Sequence, residues 1–228
     1  MKKFTNNFSQ ISRLILGLAV GLLLAIPAGA ETLTVYTAVE AEDLKRYASA
    51  FNEDHPDIKI RWVRDSTGIV TAKLLAENNN PRAAVIWGLA ATSLMLLQSE
   101  GMLQSYSPRG LGKLDSKFRD SANPPSWTGM DAWIAAVCVN TVEAKRYNLP
   151  TPTSWMDLTD PVYKGHLVMP NPNSSGTGFL DVSSWLQIYG KLGGWQFMDN
   201  LHENIAWYTH SGSKPCKQAA RGETPIGI

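Results

Sequence analysis

The chain has 228 residues, a formal net charge of +1, and charged residues at 18% of positions. That near-neutral balance, without a basic stripe, argues against a nucleic-acid partner. The two cysteines, Cys138 and Cys216, have no nearby histidine pair and are too few for a structural zinc site.

The N-terminus carries Lys2, Lys3 and Arg13, then an apolar run from Leu14 to Ile26, then Pro27 and the small residues Ala28-Gly29-Ala30. A basic lead, a short apolar core and an A-x-A end form the pattern of a cleavable signal peptide. The core is shorter than the roughly 20 apolar residues of a spanning helix. Residues 1–30 are therefore expected to be removed. The chain that follows starts at Glu31, with no cysteine there to carry a lipid, and is expected to be free in the periplasm. That compartment permits disulfides. Whether Cys138 and Cys216 meet is left open by the sequence, because Cys138 also suits a small buried hydrophobe.

From Leu33 the pattern alternates in the manner of an α/β fold. Strands are predicted at Leu33–Tyr36, Ile58–Val63 and Ala83–Trp87, with helices at Glu40–Asn52, Ile69–Glu77 and Thr92–Glu100. Gly101 is expected to stop the third helix in a left-handed conformation. Residues 102–128, with Pro108, Pro124 and Pro125, read as a connection. A strand at Trp133–Val139 opens a second series. A short helix from Ser154, a strand at Leu167–Met169, helices after Thr177 and around Trp195–Leu201, a strand at Ile205–Tyr208 and a helix after Lys214 follow. A last strand begins at Pro225–Ile228. Two α/β units in series predict two lobes, residues 31–128 with the connection and residues 129–228.

Three loops repeat one chemistry. Ser66-Thr67-Gly68, Ser174-Ser175-Gly176-Thr177-Gly178 and Ser211-Gly212-Ser213 each place hydroxyls and glycines where a strand gives way to a helix. Helix N-termini carry unpaired N–H groups and partial positive charge, so such loops suit anions. In open α/β sheets ligands gather at the carboxyl ends of strands. Capping alone accounts for any one of these loops, but the second holds more glycine and hydroxyl than a cap needs. Gly176-x-Gly178 does not extend to a dinucleotide fingerprint, because Asp181 stands at its last position. The four histidines (His55, His166, His202 and His210) make no H-E-x-x-H spacing, and no G-x-S-x-G elbow is present. A binding protein, not an enzyme, is the expectation.

The motifs Leu33-Thr34-Val35-Tyr36-Thr37-Ala38, Asp65-Ser66-Thr67-Gly68, Ala83-Ala84-Val85-Ile86-Trp87-Gly88 and Pro170-Asn171-Pro172-Asn173-Ser174-Ser175-Gly176-Thr177-Gly178 carry a family likeness. So do Tyr208-x-x-Ser211-Gly212-Ser213-Lys214-Pro215 and Gly222-Glu223-x-Pro225-Ile226-Gly227-Ile228. With them the chain resembles the periplasmic solute-binding proteins of the ferric-iron, thiamine and phosphonate group, and most closely the branch that binds 2-aminoethylphosphonate. The resemblance implies the two-lobe, type II periplasmic-binding-protein fold, a ligand held between the lobes, and the membrane subunits of an ABC importer as partners. It also implies a chain that continues past Ile228 into its first lobe, so that this sequence is expected to be truncated at its C-terminus. Relatives carry Asp where this chain has Ala84, a departure expected to weaken the loop after that strand.

The resemblance points to Thr37, Ser66, Thr67, Gly68, Ser174, Ser175, Gly176 and Thr177 for the phosphonate, and to Glu40, Trp87 and Tyr208 for the ammonium or the pocket wall. Glu40 and Asp181 are equally readable as ordinary acids near helix starts. Iron binders of the group present two adjacent tyrosines where this chain has Trp207 and Tyr208, so ferric iron is the weaker reading; another small anion or a polyamine is a further alternative. No cofactor and no resident metal are expected, and the protein is expected to be a monomer.

Overall fold

The structure, a computed structural model, describes residues 31–228; the signal-peptide expectation lies outside the described residues. Two sheets organise the chain. The first has three parallel strands in the order β2-β1-β3: β1 (Glu31–Thr37), β2 (Ile58–Arg64) and β3 (Val85–Trp87). Along β1, Glu31 sits opposite Ile58 and Thr37 opposite Arg64, while Val35 faces Val85 and Thr37 faces Trp87 on the other side. Three helices connect and cover these strands: α1 (Ala41–Asp54), α2 (Thr67–Ala76) and α3 (Ala91–Ser99). Glu42 and Asp43 in the first turn of α1 complement its dipole. Tyr36, Val70, Leu74, Leu89 and Leu97 form the core of this lobe. Gly101 closes α3 at φ +69°, the left-handed stop expected from sequence. Ala84 donates its N–H to the Thr34 carbonyl at 2.9 Å, so β3 is tied to β1 without an aspartate there.

The second sheet has four strands in the order β4-β7-β5-β6: β4 (Cys138–Val139), β5 (Leu167–Pro170), β6 (Ile205–Thr209) and β7 (Ile226–Gly227). β5 runs parallel to both β6 and β7, and β4 runs antiparallel to β7. All four residues of β5 are buried, as a central strand covered on both faces requires. Around it lie α4 (Thr141–Arg146), α5 (Gly176–His202) and α6 (Lys214–Ala220). The core gathers Leu158, Tyr163, Leu167, Trp185, Phe197, Leu201 and Ile226. Trp185 stacks edge-on against both Trp155 and Phe197. Cys138 of β4 and Cys216 of α6 form a disulfide with a Cα–Cα separation of 5.3 Å.

Two expectations need correction. The apolar run Trp133–Val139 is a strand only at Cys138–Val139, because β7 offers just two pairing residues; Trp133 and Ile134 are exposed. The helix expected from Ser154 is a pair of short 3₁₀ turns at Met156–Thr159 and Pro161–Tyr163. The two helices expected after Thr177 and around Trp195–Leu201 are both present, meeting within Gly176–His202 at Gly190, whose non-helical backbone at φ 71° no other residue type adopts easily. Among the described residues no helix is long and apolar enough to cross a membrane.

Candidate functional site

The carboxyl ends of β1, β2, β5 and β6 bring the two lobes into contact. The Gly68 N–H, in the first turn of α2, donates to the Ser174 carbonyl at 2.9 Å across the junction. A side chain at Gly68 would overlap the Asn173 carbonyl, so only glycine permits this backbone approach. On the far side of the same loop, a Cβ at Gly212 would overlap the Thr177 hydroxyl and lie 2.8 Å from Ser175 Oγ. A Cβ at Gly176 would come within 2.9 Å of Thr67 Oγ1. The three glycine-hydroxyl loops therefore converge on one place, with Thr67, Gly176, Thr177 and Gly212 packed together.

The hydroxyls expected at the site divide into two sets. Three are engaged by the protein. Thr37 Oγ1 accepts from the Val39 N–H at 3.1 Å, and Ser174 Oγ donates to the His210 carbonyl at 2.8 Å. Ser175 Oγ is the N-cap of α5, accepting from Thr177 N at 3.1 Å and Gly178 N at 3.3 Å. By contrast, the hydroxyls of Ser66, Thr67 and Thr177 make no hydrogen bond among the described residues. These three sit at the first turns of α2 and α5, where the dipoles favour negative charge.

Charged groups rim the junction, and sequence reasoning missed most of them. His210 Nε2 lies 2.6 Å from Asp65 Oδ1, joining the lobes. Burial raises the Asp65 pKa, but the His210 contact and the Ser66 N–H outweigh it, and the carboxyl ends below its ordinary value. Lys217 Nζ reaches Glu40 Oε2 at 3.0 Å and Glu42 Oε1 at 2.6 Å, and Arg64 Nη2 stands 3.7 Å from the same Glu40 oxygen. No sequence spacing hints at the pairs made by His210 and Lys217, whose partners are 145 to 177 positions apart.

The remaining expected residues have contacts of their own. Trp87 packs edge-on to Tyr47 and stacks on Trp62, within the first lobe. Tyr208 faces a cavity of about 270 Å³ in the second lobe, lined also by Met169, Trp185, Trp195 and Met198. Its hydroxyl pairs with His202 Nδ1 at 2.7 Å, and burial raises its pKa. Asp181 is buried with neither carboxylate oxygen hydrogen-bonded among the described residues, and desolvation pushes its pKa up to about 7. Among the described residues no group of three or more His, Cys, Asp or Glu is placed to hold a metal ion.

Comparison with known proteins agrees with this architecture. Residues 80–228 match the family described as "Bacterial extracellular solute-binding protein". An uncharacterised protein of Haemophilus influenzae is 30% identical over 215 residues, 92% of this chain and 62% of that protein. A probable ABC transporter periplasmic-binding protein, y4fP of Sinorhizobium fredii, is 28% identical over 189 residues, 81% of this chain and 51% of that protein. The chain thus spans between half and two thirds of the length of these relatives. Among solved structures, the periplasmic binding protein AfuA of Actinobacillus pleuropneumoniae, with exogenous fructose-6-phosphate bound, superposes with a TM-score of 0.76 at 31% identity. That match covers 87% of this chain and 63% of AfuA. The family match extends over well more than half of the sequence and over all of the second sheet: this chain belongs to the bacterial extracellular solute-binding proteins.

Proposed function

We propose that this chain is the ligand-holding part of a periplasmic receptor for an ABC importer, and that it binds a small organic phosphate or phosphonate between its lobes. The observation that carries the reading is the convergence of the α2 and α5 N-termini with three unengaged hydroxyls, Ser66, Thr67 and Thr177. Hydrogen bonds to a charged group are worth about 1.5–3 kcal/mol each. Three such bonds would supply about 4.5–9 kcal/mol before ordering costs, against the roughly 8 kcal/mol of a micromolar complex, so further contacts from the ligand's remainder are needed.

Within that class, 2-aminoethylphosphonate is the ligand the sequence motifs favour. Its ammonium needs a carboxylate, and Glu40, the residue expected to supply one, is held by Lys217 and Arg64. That arrangement favours a phosphorylated compound with a neutral remainder, in line with the sugar phosphate bound by AfuA. Ferric iron draws less support: Tyr208 pairs with His202, and Trp207 beside it offers no oxygen ligand.

A melting-temperature panel with fructose 6-phosphate, ethylphosphonate, 2-aminoethylphosphonate, putrescine and Fe³⁺ tests the class. A ligand present at about a hundred times its Kd adds roughly 2.7 kcal/mol to stability, a shift of several degrees. Shifts are expected with the phosphorus anions. A shift with iron or putrescine alone would replace the reading.

A further inference from the structure

The cluster around Glu40 bears on which members of the phosphorus-anion class the site accepts. Glu40 stands three residues after Thr37, at the carboxyl end of β1, and immediately precedes α1. Arg64, one residue before Asp65, is fixed beside it because Arg64 Nε donates to the Val39 carbonyl at 3.1 Å. Lys217 arrives from the other lobe, on α6, and bridges Glu40 and Glu42. Its backbone is anchored on the N-terminal side. The next residue toward the N-terminus, Cys216, is bonded to Cys138, and the preceding loop packs Gly212 against Thr177 and Ser175. The segment that packs on the hydroxyl cluster thus also delivers a cation to the Glu40 and Glu42 carboxylates.

Two carboxylates and two cations leave this rim formally neutral. A ligand whose own ammonium sought Glu40 would have to compete with Lys217 and Arg64 for that carboxylate, and displacing Lys217 would cost a charge-assisted hydrogen bond. A ligand with hydroxyls in place of the ammonium would not. Resting on the anion reading above, we propose that Lys217 is a specificity-determining residue: a built-in counter-cation that sets the site against aminophosphonates and in favour of phosphorus anions with a neutral remainder.

Ethylphosphonate and 2-aminoethylphosphonate differ only in the amine, so the ratio of their affinities isolates the effect. Calorimetric titration of both into the wild-type protein is expected to show ethylphosphonate binding more tightly. In Lys217→Met the ratio should move about tenfold toward the aminophosphonate, a modest figure because the pair is partly exposed to solvent. Adding Glu40→Gln and Glu42→Gln to Lys217→Met should return the ratio to its wild-type value. Lys217→Gln, which keeps a hydrogen-bond donor, should shift the ratio in the same direction and serves if the methionine variant fails to fold. An unchanged ratio with both ligands binding would overturn the proposal while leaving the anion reading intact. Equal loss of both ligands would overturn it too, by making Lys217 a contact to the anion. If neither phosphonate binds the wild type, the anion reading falls and the proposal falls with it.

Discussion

The two sheets share a plan but differ in how they end. In each, a central strand is flanked by two parallel neighbours: β1 between β2 and β3, and β5 between β6 and β7. The second sheet adds the antiparallel β4 beyond β7, and the disulfide fastens that strand to α6. In the first sheet β3 is an edge among the described residues, and Val85 on it is 39% exposed. The second lobe also has the larger core, with Trp185, Tyr163 and Phe197 fully buried, whereas the first has Tyr36 and four aliphatic residues. Stability is therefore concentrated in the second lobe, while the unengaged hydroxyls proposed to hold a ligand come from both. A site assembled in this way depends on the less secure lobe as much as on the braced one.

Removing the brace should have the largest effect. The disulfide closes a segment of 78 residues, and replacing both cysteines by serine is expected to lower stability by about 4 kcal/mol. Hydrogen exchange should show the loss in β4, β7 and α6 and leave β1 and β2 protected as before. Equal loss of protection in both sheets would break the distinction.

A second effect exposes a weakness of the better-packed lobe. Asp181 is buried there without a partner, and its carboxyl holds its proton up to about pH 7 when folded, against 3.8 as its ordinary value. Between those two pH values the unfolded chain releases the proton and the folded chain does not, so stability falls as pH rises through that window. Asp181→Asn removes the dependence and should stabilise the protein by roughly 3 kcal/mol at pH 7 relative to pH 4. Melting curves for the two proteins should diverge with rising pH; parallel curves would contradict the assignment.

The smallest effect is a cap. Ser175→Ala removes the acceptor for two N–H groups of α5 and should cost about 1 kcal/mol. Because that hydroxyl is already engaged, ligand affinity should fall far less than in the Thr177 variant described below.

Much of the fold was legible in the sequence. The strands and helices of the first lobe follow from apolar periodicity, because each strand there pairs over most of its length with a neighbour. Trp133–Val139 misled because an apolar run becomes a strand only where a partner exists, and β7 is two residues long. The three loops were recognisable from composition, since glycine and hydroxyls at strand ends have a local cause. Which hydroxyls remain unengaged was not, since Ser174 donates to a carbonyl 36 positions away. The charged rim was equally hidden. Glu40 looks like an ordinary helix-start acid until Lys217, on a distant helix, is placed against it.

The central claim is that Thr177, with Ser66 and Thr67, holds a phosphorus anion at the junction of the lobes. Calorimetric titration of a simple phosphonate into the wild-type protein and Thr177→Ala tests it most directly. Loss of one hydrogen bond to a charged group should weaken binding about ten- to a hundredfold with little change in melting temperature. Binding of unchanged affinity in the variant, with the fold intact, would place the anion elsewhere and contradict the account.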